Sequence, residues 1–438
     1  MRRFISLLIV IALAILPAAA QEAFDLQAQS DTACQALLTG DYARIISMLN
    51  ETAAAQLSED ILSQTMSALS VQFGTFSAVS GAEYLAEQNV SAYTLVFENG
   101  ALLLSFGFDA DGKIAALTLT PAAAPATPSE RPLPEGVQEI PVTLYPDSDR
   151  SLKGTVLVPS NAGADTPYVV FIHGSGPSDM DQTVGGNKMF RDIACDLAAL
   201  GVGSIRYDKI TYSHPELFTG NITIDDEYLE PVSEAVRILK ENVPSANIYA
   251  LGHSLGGMLT PYLVRECGLS GGIALAGTPL PLWQMSYDQN MMLIDAMPAD
   301  QQPALIAQVE AEREIALSLT GMTDEEAASI SVFGINGLYQ KSISHLDEAA
   351  IAEETGKPFL FVWGDKDVQV NQAAFDAWQE TLSEAGPYTY ITYPGLNHMF
   401  LPHQEGDSIA NVQAAYARPA SVAEYVSADI AAWISANP

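Results

Sequence analysis

The stretch "NIYALGHSLGGMLTPYLV", from Asn247 to Val264, joins a short apolar run to a helical pattern through a cluster of glycines around one serine. The apolar run predicts a buried strand, and the apolar spacing after the glycines predicts a helix. Gly252, Ser254 and Gly256 fit G-x-S-x-G, a pattern in which the serine occupies a sharp turn between strand and helix. Glycines permit such a turn because they let the two elements approach closely. Ser254 is therefore a candidate nucleophile.

Strands and helices alternate around this turn from Glu135 to the end of the chain. A strand pair comes first, and apolar runs such as "PYVVFIHG" and "PFLFVWGD" then alternate with amphipathic helical segments. Near-continuous apolar strands are typical of a parallel sheet that helices cover on both faces. We therefore predict an α/β fold over residues 135–438, with a mostly parallel sheet flanked by helices. The helix-rich interval 279–356 interrupts the alternation and predicts an inserted helical cap.

The N-terminus has the pattern of a targeting segment. Arg2 and Arg3 precede an apolar run and small residues that end at Ala20, which predicts a signal peptide over residues 1–20. The apolar run is too short to span a bilayer comfortably. We therefore expect cleavage near Ala20 and a secreted or periplasmic protein with no stable membrane insertion.

Between the signal and the α/β fold, the sequence predicts a small domain and a linker. Residues 30–120 begin with helical periodicity, up to about Gly74, and continue with the alternating pattern of about three antiparallel strands. This combination predicts a small α+β domain. Residues 121–134 are rich in Pro and Ala and predict a linker, because such a segment neither packs nor forms a ladder.

The composition excludes several classes of function. The chain of 438 residues carries 53 acidic and 19 basic side chains, which gives a formal net charge of −34. Such a surface repels nucleic acid and anionic lipid, so we expect no nucleic-acid partner. The three cysteines have neither the spacing of a zinc site nor the number for a disulfide framework. We expect no metal and no cofactor, and the sequence leaves the oligomeric state open.

A serine hydroxyl needs a base to become a nucleophile, and two later strands of the predicted sheet end in suitable side chains. His398 follows the run "YITYPGLN", while Asp365 and Asp367 stand at the end of "FLFVWGDKD". The carboxyl ends of parallel strands meet at one edge of the sheet, where Ser254 is also expected. We predict His398 as the base. We favour Asp367 over Asp365 as the acid that orients the imidazole, because Asp367 lies beyond the strand end in the loop.

These motifs resemble those of the α/β-hydrolase family over residues 135–438, in particular a branch of serine esterases and related peptidases. The resemblance rests on "HGSGPSDMDQ", the G-x-S-x-G turn, "GDKDVQV" and "GLNHMF". It implies that the nucleophile, acid and base are Ser254, Asp367 and His398. Residues 30–120 resemble a small uncharacterised domain that is found ahead of some such hydrolases.

The resemblance also implies an oxyanion hole made of two backbone N–H groups. One belongs to Leu255, the residue after the nucleophile, and the other to Ser175 in the loop after the first parallel strand. The expected reaction is hydrolysis of a small-molecule carboxylic ester through an acyl-enzyme. A serine peptidase or a thioester or lactone hydrolase on the same fold are alternatives. A non-catalytic binding protein on a disused hydrolase scaffold is another.

Two further segments lie near the predicted site. The charges of "RYDK", from Arg206 to Lys209, end a strand and are expected to brace the neighbouring loops by ion pairing rather than to take part in the chemistry. The start of the interval 279–356 is rich in methionine and aromatic side chains, among them Trp283 and Met285. Such side chains either line an acyl pocket or belong to an apolar core, and the sequence does not decide between the two.

Overall fold

The computed structural model describes residues 25–438 apart from 55–56, 74–75, 86–88, 98–99, 123–130, 216–221, 298, 300–301 and 417. The predicted signal peptide, residues 1–20, and residues 123–130 of the predicted linker lie outside the described residues. The chain divides into two compact units, Met1–Thr127 and Pro128–Pro438. None of the helices among the described residues has both the length and the apolar run that crossing a membrane requires.

The first unit has helices followed by a four-stranded antiparallel sheet in which each strand pairs with the next. The helices are α1 (Leu26–Thr39), α2 (Tyr42–Met48), α3 (Glu51–Ala54) and α4 (Glu59–Phe73). The strands are β1 (Phe76–Leu85), β2 (Val90–Phe97), β3 (Gly100–Phe108) and β4 (Ile114–Ala122). Alternate side chains of β2, such as Tyr93 and Leu95, are buried in one apolar core with α1 and α2.

The prediction of about three strands for this unit was wrong by one, because the sequence pattern did not reveal β1. Its pairing with β2 shifts register twice, between Phe76 and Ala78 and between Val79 and Gly81. Register shifts interrupt the two-residue alternation by which a strand is predicted. The segment therefore lacks the regular alternation that revealed the other strands.

The second unit is built on an eight-stranded sheet. The strands of the sheet are β5 (Gln138–Leu144), β6 (Leu152–Val158), β7 (Tyr168–Ile172), β10 (Gly203–Tyr207), β11 (Ile248–His253), β12 (Gly271–Leu275), β15 (Phe359–Gly364) and β16 (Tyr388–Tyr393). Two short hairpins lie outside it, one of β8 (Thr183–Val184) and β9 (Asn187–Lys188), the other of β13 (Ser331–Val332) and β14 (Ile335–Asn336). The order in the sheet is β16-β15-β12-β11-β7-β10-β6-β5. Strand β6 is antiparallel to β5 and β10. The other six strands, β10, β7, β11, β12, β15 and β16, are parallel to one another. This confirms the predicted, mostly parallel sheet.

Helices connect the parallel strands and cover both faces of the sheet. They are α5 (Met189–Ala199), α6 (Ile210–Ser213), α7 (Glu230–Asn242), α8 (Leu255–Met258), α9 (Thr260–Cys267), α10 (Leu282–Asp295), α11 (Gln302–Ser318), α12 (Asp324–Ala328), α13 (Gly337–Ser344), α14 (Glu348–Thr355), α15 (Gln372–Thr381), α16 (Val412–Tyr416) and α17 (Glu424–Ala436). A π-helical turn at Asp225–Leu229 and 3₁₀ turns at Leu319–Gly321 and Ile409–Asn411 complete the elements.

Alternate side chains of the central strand β7 enter two separate apolar cores. Val170 and Ile172 pack with α7, α9 and α15 on one side of the sheet. Val169 and Phe171 pack with α5 and α17 on the other side. All residues of β7 are buried, and each such apolar side chain stabilises the fold by about 1.5–3 kcal/mol. The sheet is thus a firm base for the loops that follow its strands.

The interval 279–356, predicted as a helical cap, contains α10 to α14 and the hairpin of β13 and β14. Helix α10 contacts both α11 and α13, so these helices form one group. Helix α14 instead packs against α9 and leads back into the sheet at β15. The interval therefore combines a group of covering helices with one helix that flanks the sheet.

Glu348, at the start of α14, places a buried carboxyl group against α9. Its Oε2 accepts a hydrogen bond from the backbone N–H of Tyr262 at 3.0 Å. The other oxygen, Oε1, has no partner within the described part of the chain. Burial raises the pKa of this carboxyl from its ordinary 4.5 to about 8. Glu348 therefore keeps its proton in the folded protein at pH values where the unfolded chain loses it.

We expect Glu348→Gln to flatten the pH dependence of stability. Because the folded-state pKa is raised, the contribution of Glu348 to the free energy of unfolding falls as pH rises from about 4.5 to about 8, by about 1.4 kcal/mol per pKa unit. An amide does not titrate, so urea unfolding at both ends of this range should differ less for the variant. Glu354→Gln, at an exposed position of the same helix, should keep the wild-type dependence. An unchanged slope in Glu348→Gln would contradict the buried, protonated carboxyl.

Candidate active site

The turn that carries Ser254 lies between β11 and α8 and has an unusual backbone conformation. Ser254 has a φ of 55° and a ψ of −116°, a region that residues with side chains rarely adopt. Its N–H donates to the carbonyl oxygen of Leu275 at 2.9 Å, and its own carbonyl oxygen accepts from the N–H of Met258 at 2.8 Å. Backbone strain of this kind persists only where the surrounding structure imposes it, and it concentrates at functional sites.

Two glycines make this turn possible. A Cβ atom at Gly256 would lie 2.3 Å from the carbonyl oxygen of Ile172, and one at Gly252 would lie 2.1 Å from the carbonyl oxygen of Gly256. Both distances are far inside van der Waals contact, so any side chain would force the backbone apart. The G-x-S-x-G pattern therefore reflects a close approach of backbone segments around Ser254.

Asp367 and His398 form a buried pair in the loops after β15 and β16. The Nδ1–H of His398 donates to Oδ2 of Asp367 at 2.6 Å. The other oxygen, Oδ1, accepts from the backbone N–H groups of Gln369 and Val370 at 2.8 and 2.9 Å. These hydrogen bonds fix the carboxylate, which in turn fixes the imidazole and leaves Nε2 as the nitrogen that can accept a proton.

Asp365, the other aspartate that the sequence offered, has a different contact. Its Oδ1 accepts a hydrogen bond from the backbone N–H of Gly395 at 2.7 Å. It therefore ties the loop after β15 to the turn after β16. The structure brings Asp367, and not Asp365, to the imidazole of His398.

Ser254 and His398 line the same cleft. Among the described residues, no hydrogen bond joins the hydroxyl of Ser254 to the imidazole of His398. Such bonds are often long or poorly aligned in enzymes without substrate. The structure thus gathers the three predicted residues in one site, with the Asp367–His398 hydrogen bond formed and the Ser254–His398 hydrogen bond not formed.

Ser175 and Leu255, the predicted oxyanion-hole residues, line the cleft beside Ser254. Neither of their backbone N–H groups has an acceptor within the part of the chain that the structure describes. The N–H of Gly174 is not available in the same way, because it donates to Oε1 of Gln182 at 2.9 Å. The cleft therefore offers two unused backbone donors next to the serine.

Lys209 holds the loop that contains Ser175. Its buried ammonium donates to the carbonyl oxygens of Gly174 and Gly176 at 2.8 and 3.1 Å and pairs with Glu227 at 3.2 Å. In a trans peptide the carbonyl and the following N–H point in opposite directions, so the contact to Gly174 turns the N–H of Ser175 away from Lys209. Lys209 belongs to the segment "RYDK", whose charges we expected to brace the neighbouring loops, and these contacts agree with that expectation.

A second set of buried hydrogen bonds connects the loops of the site. Nε2 of Gln182 lies 2.7 Å from Nδ1 of His253, and Nε2 of His253 lies 2.9 Å from the carbonyl oxygen of His398. Because a carbonyl oxygen only accepts, His253 donates from Nε2 and accepts from Gln182 at Nδ1. Burial lowers the pKa of His253 well below its usual value, which agrees with this neutral form. No sequence pattern singles out Gln182, since its partner is 71 residues away.

The cleft around these residues has a volume of about 370 Å³. The covering helix α10 contributes Leu282, Met285 and Gln289 to its wall. Among the methionine and aromatic side chains that the sequence left undecided, Met285 lines the cleft, whereas Trp283 packs in a separate apolar cluster. The described residues that line the cleft include no Lys, Arg, Asp or Glu. An uncharged substrate suits such a wall, because a buried charge there would have no partner.

Two segments of the chain match known families. Residues 169–412 match the family described as alpha/beta hydrolase, and residues 30–117 match a family described as a protein of unknown function (DUF3887). Esterase EstD of Thermotoga maritima is 31% identical over 402 residues, which cover 91% of this chain and 93% of that protein. The hydrolase match contains Ser175, Ser254, Leu255, Asp367 and His398.

Two solved structures are similar to part of the chain. Est1E from Butyrivibrio proteoclasticus is 16% identical, with a TM-score of 0.42, and the match covers 67% of this chain and 99% of that one. A dienelactone hydrolase from Anabaena variabilis is 16% identical, with a TM-score of 0.39, and the match covers 69% and 99%. Similarity at this level does not bear on function.

The close approach at Gly256 generates a stability prediction. Gly256→Ala should lower the free energy of unfolding by about 2–3 kcal/mol or more, because the new methyl group meets a backbone oxygen that cannot rotate away. Urea unfolding measures the change. Gly163→Ala is the matched control, since a Cβ there has no atom within 4 Å, and it should stay within about 0.5 kcal/mol of wild type. Equal stabilities for the two variants would rule out the backbone contact.

Proposed function

The chain belongs to the alpha/beta hydrolase family, and from that premise we propose that it is an exported serine esterase that forms an acyl-enzyme. The observation that carries the proposal is the hydrogen bond between Asp367 and His398, together with a cleft that both His398 and the strained Ser254 turn line. The cleft volume of about 370 Å³ is in the range of small-molecule sites.

In the proposed reaction, the Ser254 hydroxyl attacks the carbonyl carbon of the ester while Nε2 of His398 takes the hydroxyl proton. Asp367 accepts the Nδ1–H throughout and stabilises the imidazolium that forms. The former carbonyl oxygen becomes negatively charged and accepts hydrogen bonds from the N–H groups of Ser175 and Leu255. Removal of one such donor costs about 10²–10³ in turnover in other enzymes.

His398 then gives its proton to the alkoxy oxygen, the bond between that oxygen and the carbonyl carbon breaks, and the alcohol leaves. Water attacks the remaining acyl-enzyme with His398 again as the base. The Ser254 oxygen departs with a proton from the imidazolium, and the carboxylic acid is released. The same groups therefore serve both halves of the reaction.

Two observations favour an ester over a peptide as the substrate. A peptide with a free amino terminus carries an ammonium group, which a carboxylate would normally bind. The described residues that line the cleft include no Asp or Glu to do so. The relative that is 31% identical over most of both chains is named an esterase.

Ser254→Ala tests the proposed nucleophile. We expect hydrolysis of p-nitrophenyl acetate to fall by at least about 10³-fold, because no other hydroxyl occupies the turn. A fluorophosphonate probe should label the wild-type protein at Ser254 and leave the variant unlabelled. Ser245→Ala, at an exposed position away from the cleft, should keep wild-type turnover and labelling. Near-normal turnover of a folded Ser254→Ala protein would exclude the mechanism.

The proposed export depends on residues 1–20, where Arg2 and Arg3 precede an apolar run. N-terminal sequencing of the protein recovered from the medium or periplasm should start near Gln21. Leu8→Arg, which breaks the apolar run, should retain the full-length chain inside the cell. Recovery of exported protein that still begins at Met1 would contradict a cleaved signal.

A further inference from the structure

A second pocket, with a volume of about 320 Å³, adjoins the cleft of the proposed active site. It lies around Ile222, Glu227 and Tyr339, which do not line the larger cleft, and we call it the inner pocket. Ser254 and His398 line the larger cleft and not the inner pocket. Ser175, Leu255, Leu282 and Ile335 line both spaces and form the common wall where the two spaces meet.

On the basis of the proposed function, we infer that the inner pocket binds the acyl chain of the substrate and the larger cleft binds its alcohol. The proposed oxyanion donors, on Ser175 and Leu255, lie on the common wall, so the carbonyl oxygen sits where the two spaces meet. His398 has to protonate the leaving alkoxy oxygen, and it lines the larger cleft. The alcohol therefore departs into the larger cleft, and the acyl chain on the opposite side of the carbonyl carbon points into the inner pocket.

The inner pocket has the chemistry of a site for an uncharged, apolar chain. Ile222, Leu282 and Ile335 supply aliphatic side chains to its wall. Glu227 contributes a carboxylate whose oxygens are both engaged, one with the ammonium of Lys209 and the other with the hydroxyl of Tyr339. This carboxylate repels an acyl chain that ends in a second carboxylate, and it has no free oxygen for a cationic chain.

An apolar pocket of limited volume predicts a characteristic dependence on chain length. Each methylene group that leaves water for the pocket should raise kcat/KM about fourfold. The increase should stop once the chain fills the inner pocket. A longer alcohol occupies the larger cleft instead, so its effect on kcat/KM should not depend on the inner pocket.

Two series of esters test the inner pocket and the larger cleft independently. The acyl series consists of p-nitrophenyl acetate, butyrate, hexanoate and octanoate, and the alcohol series consists of ethyl, butyl and hexyl acetate. Ile222→Trp fills the inner pocket, so the ratio of kcat/KM for hexanoate over acetate should fall at least about tenfold. Its ratio for hexyl over ethyl acetate should stay within about twofold of wild type. Val184→Trp, which lines the larger cleft and not the inner pocket, should show the opposite pattern.

Two results would overturn the assignment. One is a change of the alcohol ratio, and not of the acyl ratio, in Ile222→Trp. The other is an unchanged acyl ratio in a folded, active Ile222→Trp protein. Should the tryptophan prevent folding, Ile222→Ala decides the same question, because the enlarged pocket should move the acyl optimum to longer chains, and an unmoved optimum refutes the inference.

The failure of this inference is distinguishable from the failure of the proposed function. Turnover of p-nitrophenyl acetate that disappears in Ser254→Ala supports the function whatever the chain-length result. An active, Ser254-dependent enzyme with no response at Ile222 would refute only the acyl pocket. A wild-type protein without Ser254-dependent turnover would refute the proposed function itself.

Discussion

The candidate site depends on the close packing of two backbone turns at the ends of neighbouring parallel strands. Gly252 of β11 lies opposite Ile172 of β7 in the sheet. Beyond this pair, Gly256 approaches the carbonyl of Ile172, and a Cβ at Gly174 would lie 3.2 Å from that of Ser254. The serine turn and the loop that contains Ser175, the second proposed oxyanion donor, are therefore in direct contact because their strands are neighbours.

Buried charges add a second level of order to this loop. Lys209 is almost fully buried, and a charge in such a place costs free energy unless its hydrogen bonds are made. Lys209 meets this condition with two carbonyl oxygens, the hydroxyl of Tyr228 and the carboxylate of Glu227. Apolar side chains of similar volume often stabilise a fold as well as a buried ion pair does. The ion pair of Lys209 and Glu227 is therefore better explained by its position than by its contribution to stability, because Lys209 holds the peptide between Gly174 and Ser175.

The sequence predicted the parts of the structure that local patterns determine. Composition and spacing predict the apolar strands, the G-x-S-x-G turn, and the positions of Ser254, Asp367 and His398 after parallel strands. They do not predict the bulged strand β1, because its register shifts remove the alternation. They do not predict Gln182 either, since its importance arises only when folding brings it to His253. The lining of the cleft was also undetermined, because apolar helix faces look alike whether they meet a core, as at Trp283, or a cavity.

The charge of the protein has a consequence for the proposed reaction that the cleft itself does not show. Ester hydrolysis converts an uncharged substrate into an acid that is ionised at neutral pH. The described lining of the cleft offers this anion no Lys or Arg, and the full chain carries a formal net charge of −34. The product is thus repelled from a site that admits its uncharged precursor. The acidic composition of the chain would therefore favour release of the acid once it has formed.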